Sequence, residues 1–362
     1  MGRTLGVAAE VARVIRLDGS SYSGSGTVLR YSAALATLVR KPLSLHRIRA
    51  RRPKPGLRPQ HVTALRACCA MSGGRLEGDR TGSDEVLYYP GENLTGGRYH
   101  WDIGTAGSAT MLAFTVIPLA FFAESPCHFS FTGGLFQDNA PSAFHMQRVL
   151  FPLVNRMGGS VKLEVRRPGY VPQGQGRLEV RVNPLEAPLH PLRLPRQGAV
   201  RQIRGISLAS HLGAQRVGER IADGCRERLR KYGFAPEMEI LRDGSAVQKG
   251  AALHLCAETD VGCLIGADMA GKLGRSSEDM ARATVEDLME DIHTGATTDR
   301  HLADQVILFG ALAAGRTEYV IPRLTDHVES NLWLVEEIMG ARTRIVEHLL
   351  QIEGIGFFHH IR

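Results

Sequence analysis

The sequence contains no apolar run approaching the roughly 20 residues that a membrane-spanning helix requires, and its start, MGRTLGVAAEVARVIRLDG, lacks the apolar core and cleavage site of a signal peptide. A cytoplasmic protein with no membrane partner is therefore expected. The sequence also has no CxxC pair and no cysteine–histidine spacing of a zinc finger, so Cys68, Cys69, Cys127, Cys225, Cys256 and Cys263 are expected as reduced, buried thiols. Aspartate and glutamate are absent from residue 19 to residue 76. Within that stretch Arg47, Arg49, Arg51, Arg52, Lys54 and Arg58 crowd into twelve positions. Uncompensated cations at that density attract a phosphate-bearing ligand; the plain alternative is a solvated basic loop.

Of the 362 residues, 43% are apolar and 22% charged, the balance of a soluble globular enzyme with one large domain and a smaller one. A net charge of +7 and a pI near 9.2 favour an acidic partner. Residues 11–17 read as a strand, the small-residue turn DGSSYSGSG follows, and TVLRYSAALATLV has the apolar period of a helix. The same strand, tight turn, helix grammar returns at Gly104 to Phe122, at Asp299 to Ala314 and at Asp326 to Met339. Recurrence of this kind predicts repeated α/β units rather than one doubly wound sheet. VKLEV, RLEVRV and CHFSF read as short strands. The proline-rich NPLEAPLHPLRLPRQG near residue 184 reads as a linker into an inserted α+β module that ends near 282.

Two nucleotide signatures fail on inspection. Gly24-Ser25-Gly26 lacks the third glycine of GxGxxG, since Leu29 stands there. Gly266 to Lys272 matches GxxxxGK, but Leu273 replaces the hydroxyl that would hold magnesium, so a surface loop after a strand is expected. More informative are the turns at 23–27, 104–110 and 324–331, each placing unpaired backbone N–H groups at a helix start where a phosphate binds well. RARRPKPGLRPQH reads as a stiff, extended basic loop that delivers Gln60 and His61 to a helix start, with Arg52, Lys54 and Arg58 ahead of them.

Together the segments LDGSSYSGSGTVLR, RARRPKPGLRPQH, GTAGSATM, GYVPQGQG, HLADQVILFGALAAG and TDHVESN resemble, in the same order, those of RNA 3′-terminal phosphate cyclases. The combination KPGLRPQH with LADQ carries the specificity of the match, which spans about residues 15 to 340. The resemblance implies an α/β main domain of three repeated units (1–183 and 283–362) with an inserted smaller α+β domain (184–282). It implies ATP and a divalent metal, magnesium or manganese, as cofactors, RNA with a 3′-phosphate as partner, and leaves room for a homodimer. A histidyl-AMP would pass its AMP to the RNA 3′-phosphate, and the 2′-hydroxyl would then close a 2′,3′-cyclic phosphate.

By position, the resemblance makes His327 the catalytic nucleophile; neutral imidazole near pH 7 is competent for that role. His301, Leu302, Ala303, Asp304 and Gln305 fall in the adenylate-binding segment, with His301 in place of an aromatic residue and Phe114 in place of a glutamine near the nucleotide. Arg30, Arg52, Gln60 and His61 match positions associated with phosphates or the RNA end. Ser23 stands where the family has a metal-holding glutamate, and a hydroxyl is a poorer ligand for a hard cation. That departure keeps open a non-catalytic, cyclase-like RNA-binding protein. An adenylyltransferase acting on nucleic-acid 5′-ends and, more distantly, an enolpyruvyl-type transferase complete the alternatives.

Overall fold

The computed structural model describes residues 14–138 and 140–358. The first unit runs β1 (Ile15–Asp18), α1 (Gly26–Leu38), β2 (Leu43–His46), α2 (Pro59–Ser72), β3 (Arg75–Glu77) and β4 (Val86–Tyr89), with strand order β1-β2-β4-β3. The part of the expected first strand before residue 14 lies outside the described residues. The second unit runs β5 (Gly97–Asp102), α3 (Ala109–Ala120), β6 (Cys127–Gly133), α4 (Ala143–His145), a π turn (Met146–Leu150), α5 (Phe151–Arg156), β7 (Val161–Arg167) and β8 (Gly176–Val182), with order β5-β6-β8-β7.

The third unit opens with the two-residue β9 (Arg193–Leu194) and is then interrupted by β10 (Val200–Ser210), α6 (Val217–Lys231), β11 (Glu237–Asp243), β12 (Gly250–Thr259), β13 (Leu264–Ala270) and α7 (Ser277–His293). It resumes as α8 (Leu302–Leu312), β14 (Ala314–Val320), α9 (Asp326–Met339), β15 (Arg342–Val346) and β16 (Leu349–Ile355). Its sheet, read from β9, has order β9-β14-β16-β15. In all three units the first pair is parallel and the other two pairs are antiparallel. The expected repetition of α/β units is thus a repetition of sheet topology.

The interruption builds a fourth sheet, β11-β10-β12-β13. One face packs Leu253, Leu255 and Ile265 against Ile221, Leu288 and Ile292 of α6 and α7; the other adds Ile206, Leu208 and Leu264 to the main core. β9, at Arg193–Leu194, pairs with β14, and α7 continues to His293. The GxxxxGK stretch is strand rather than loop over Gly266–Ala270, because β13 hydrogen-bonds along that length to β12.

Helices α1, α3 and α8 form the middle of the main body. Every residue of α1 is buried. Phe114 of α3 sets its ring against Tyr31 of α1 at 5.6 Å and against Phe309 of α8 at 6.0 Å, joining the three units at one point. Burial of such rings dominates the energetics of a core. No helix among the described residues is long and apolar enough to cross a membrane.

The basic loop differs from the extended form expected of it. Residues 47–54 fold into successive turns, with Arg47 and Arg49 at positive φ (52° and 57°). The Arg49 guanidinium causes this, donating to the carbonyls of Lys54 (2.7 Å) and Gly56 (2.8 Å) from inside the loop. Arg47 pairs with Asp18 at 3.0 Å, and Arg51 donates to the Tyr22 carbonyl at 2.6 Å. Half of the cluster therefore shapes the loop, and Arg52 and Lys54 are left exposed.

Candidate active site

The starts of α1 and α9 meet face to face. Ser25 caps α1 and Thr325 caps α9, each through its hydroxyl, accepting from Thr27 N–H and Val328 N–H respectively, which fixes both helix ends. The two ends are tied together by hydroxyls: Ser23 N–H donates to Ser330 Oγ (3.1 Å), the Ser23 and Ser330 hydroxyls lie 2.8 Å apart, and Ser25 Oγ lies 3.1 Å from Ser23 Oγ. Tyr22 adds a ring contact to Trp333 of α9 at 5.2 Å. The consequence is that His327 Nδ1 sits 3.1 Å from Thr27 Oγ1. With its proton on Nδ1 donated to that hydroxyl, His327 presents a bare lone pair on Nε2. Burial, then Arg30 and Arg52, hold the His327 pKa below its ordinary value, so the ring is neutral near pH 7.

Beside it lies Arg30, a buried cation. Its Nη2 is 3.5 Å from Thr27 Oγ1 and its Nε has no hydrogen-bond partner. Burial lowers its pKa to about 10, a sign that the charge is poorly compensated. His61 accepts from Arg58 N–H through Nδ1 (3.1 Å), closing the first turn of α2, and is held well below its ordinary pKa by burial and then by Arg30. Its Nε2 and Arg30 Nη1 converge on Gly26, where a Cβ would collide with both, so only glycine admits them. Gln60 Oε1 accepts from Ser108 N–H at 2.8 Å, which docks α2 on the second small-residue turn.

Helix α8 supplies the far wall. Asn331, one turn after His327 on α9, donates to the Asp304 carbonyl (3.0 Å) and carboxylate (3.3 Å), and Tyr31 donates to the same carbonyl (3.2 Å). Asp304 keeps some contact with solvent, but the protein atoms crowding its carboxyl raise its pKa to about 7, with Asp299 adding to the effect. Asn331 Oδ1 and Gln305 Oε1 are buried without partners. Unpartnered polar atoms on α1, α8 and α9, namely Arg30 Nε, Gln305 Oε1 and Asn331 Oδ1, are the kind of donor and acceptor set that a polar ligand completes.

Just before α8, Asp299 is fully buried and does the opposite. One carboxylate oxygen accepts from the N–H groups of His301 and Leu302 (2.8 Å each); the other accepts from Gly266 N–H of β13 (2.9 Å) and lies 3.0 Å from His145 Nε2. This clamp joins the second unit, the fourth sheet and the start of α8. His301 projects from it, exposed, with its ring edge-on to His145 at 6.2 Å. Leu302, Ala303 and Phe114 are buried and serve packing around this wall. Thr27 reads from the sequence only as a change to the glycine turn, and Ser330, Asn331, Asp299 and His145 carry no role there; only Asn331, four residues after His327, has a readable signal.

A model of the family described as RNA 3′-terminal phosphate cyclase matches residues 21–345. The chain belongs to that family. Proteins named RNA 3′-terminal phosphate cyclase from Pyrobaculum neutrophilum and Thermococcus kodakarensis are 33% and 35% identical over 347 and 344 residues, covering 95% and 94% of this chain and 99% and 95% of their own length. One from Nitrosospira multiformis is 34% identical over 341 residues, 93% of this chain and 96% of its own. Among solved structures, the enolpyruvyl transferase NikO from Streptomyces tendae is 15% identical and covers 96% of this chain and 52% of its own, but its TM-score of 0.24 carries no argument.

A metal held by a protein carboxylate does not fit position 23. The Ser23 hydroxyl is engaged by Ser25 and Ser330, and among the described residues no group of three His, Cys, Asp or Glu side chains is arranged to hold a metal ion.

Proposed function

We propose that this cyclase-family chain uses ATP to convert an RNA 3′-terminal phosphate into a 2′,3′-cyclic phosphate through an adenylate on His327. The observation that carries the reading is the neutral His327 imidazole, oriented by Thr27 and set beside the uncompensated Arg30 cation. ATP supplies the adenylyl group. Nε2 of His327 forms a bond to the α-phosphorus as pyrophosphate leaves; a 3′-phosphate oxygen of the RNA then takes the α-phosphorus and His327 leaves as neutral imidazole. In the last step the 2′-oxygen attacks the 3′-phosphorus, AMP departs, and the hydroxyl proton goes to solvent or a neighbouring base. Arg30 offsets phosphate charge in the first two steps, in a buried setting where that is worth most. Asp304, Gln305 and Asn331 offer acceptors to the adenylate, His301 a ring for the base, and Arg52 with His61 the contacts to the RNA end.

The pairing of β9 with β14 and the seating of α7 on the fourth sheet support an inserted domain that begins after Leu194 and ends before Asp299. A second reading, RNA binding without turnover, is favoured by one observation, the missing carboxylate at Ser23. The test is to incubate the protein with ATP, a divalent metal and RNA carrying a labelled 3′-phosphate. Resistance of that label to phosphatase, with one AMP and one pyrophosphate released per end, supports the cyclase. Tight RNA binding with the label fully removable supports the second reading instead.

A further inference from the structure

The outer face of the second sheet carries a charge pattern that the site does not use. In the strand register, Arg98 of β5 lies opposite His128 of β6, His128 opposite Arg181 of β8, and Arg181 opposite Lys162 of β7. All four are exposed, and the alternation along each strand puts them on the face away from the core, since Phe129, Val180 and Leu163 next to them are buried. Like charges directly opposite one another destabilise a sheet, so the pairing of Arg181 with Lys162 works against the fold that displays it. One row further along, the face is neutralised: Arg166 bridges Glu164 (2.6 Å) and Glu179 (2.9 Å), and Arg177 lies 3.5 Å from Glu179. Among the described residues, Arg98, Arg181 and Lys162 have no such carboxylate. Protection of sheet edges accounts for charges on the outer strands β5 and β7 but not for Arg181 on the inner strand β8.

We propose that this row binds the phosphodiester backbone of RNA upstream of the 3′ end, without reading its sequence. Charge complementarity selects the occupant, and the row's position fits it. Arg98 is six residue steps from Gly104 along β5 and its following turn, which at about 3.3 Å per step puts the row at most roughly 20 Å from the turn that docks Gln60. Exposed His100 lies on the same face between them. At about 3.4 Å per stacked nucleotide, that stretch takes roughly six nucleotides of RNA to span, and a dinucleotide is too short for it.

This rests on the cyclase reading, and the experiment separates the two. The affinity of a single-stranded 20-mer bearing a 3′-phosphate is measured by anisotropy across sodium chloride concentrations for the wild type, Arg98→Ala/Arg181→Ala and Arg98→Lys/Arg181→Lys, alongside turnover of a 3′-phosphorylated dinucleotide. The alanine variant is expected to bind the 20-mer more weakly, with a slope of log K against log salt shallower by about 1.4, while the lysine variant keeps the slope and dinucleotide turnover is the same in all three. An unchanged slope in the alanine variant overturns the proposal and leaves the row to an acidic protein surface. Loss of dinucleotide turnover in the alanine variant also overturns it, because the row would then act through the fold. If the wild type turns over neither RNA, it is the cyclase reading that falls.

Discussion

Two aspartates five residues apart, Asp299 and Asp304, are treated in opposite ways by the fold. Asp299 is surrounded by three N–H donors and an imidazole, and its pKa is driven down despite complete burial, chiefly by His145. His145 in turn is raised above its ordinary value, because Asp299 outweighs the burial that acts against its charge. Asp304 has one weak side-chain donor at 3.3 Å and is pushed up to about 7. The first is a structural clamp whose hydrogen-bonding capacity is used up. The second is left under-compensated, which is the state of a group that a ligand completes.

The comparison breaks most visibly at the clamp. Asp299→Ala leaves His145 and three backbone donors buried without a partner, so unfolding in urea should show a loss of about 3–5 kcal/mol. Asp304→Asn should do the reverse. The folded-state pKa of Asp304 lies above the unfolded 3.8, so the stability linked to its proton is present at low pH and is lost as pH rises through about 7; Asp299, depressed, keeps its contribution above 3.8 and loses it as pH falls below. The Asn variant should therefore melt a few degrees higher than wild type at pH 8, with the gap smaller at pH 5 and closed only below the unfolded pKa of 3.8, while binding the nucleotide less well. A lower melting point at pH 8 would mean that Asp304 is compensated after all.

Smaller effects sharpen the contrast at the other wall. Thr27→Val removes the hydrogen bond that orients His327, worth about 1 kcal/mol, and should reduce kcat about fivefold with KM for ATP little changed. Thr325→Ala deletes a half-exposed hydroxyl cap on α9 where Asp299→Ala deletes a buried carboxylate cap on α8. Its cost should be about 1 kcal/mol in chemical denaturation, well below that of the clamp.

The elements that carry the site were readable because each announces itself locally. α1, α3 and α9 each follow a strand and a turn with small or capping residues and have an apolar period, whereas α8 has the apolar period but follows helix α7 and not the strand expected before it. The elements on either side of the fourth sheet were not readable in the same way. The proline-rich stretch at 184 marks the crossing from β8 to the third sheet, and the two residues of β9 become a strand only through β14, more than 120 positions later. α7 has a start signal in Ser276 with Glu278 and Asp279, yet its acidic outer face masked the stripe of Met280, Leu288 and Ile292 that seats it on the fourth sheet. Within the candidate site, His327, Arg30, His61 and Asp304 were singled out by their place in a family pattern. Thr27 and His145 were not, because their partners lie 300 and 154 residues away, and nothing local in the chain encodes such pairs.

The account stands or falls on the nucleophile. The direct measurement is to incubate the protein with ATP labelled on the α-phosphate and a divalent metal, then to look for an acid-labile, alkali-stable AMP on the chain and locate it by peptide mapping. The structure predicts one label per chain, on His327, absent from His327→Ala and reduced in Thr27→Val. A label that persists in His327→Ala, or none in a wild type that still cyclises RNA, would contradict it.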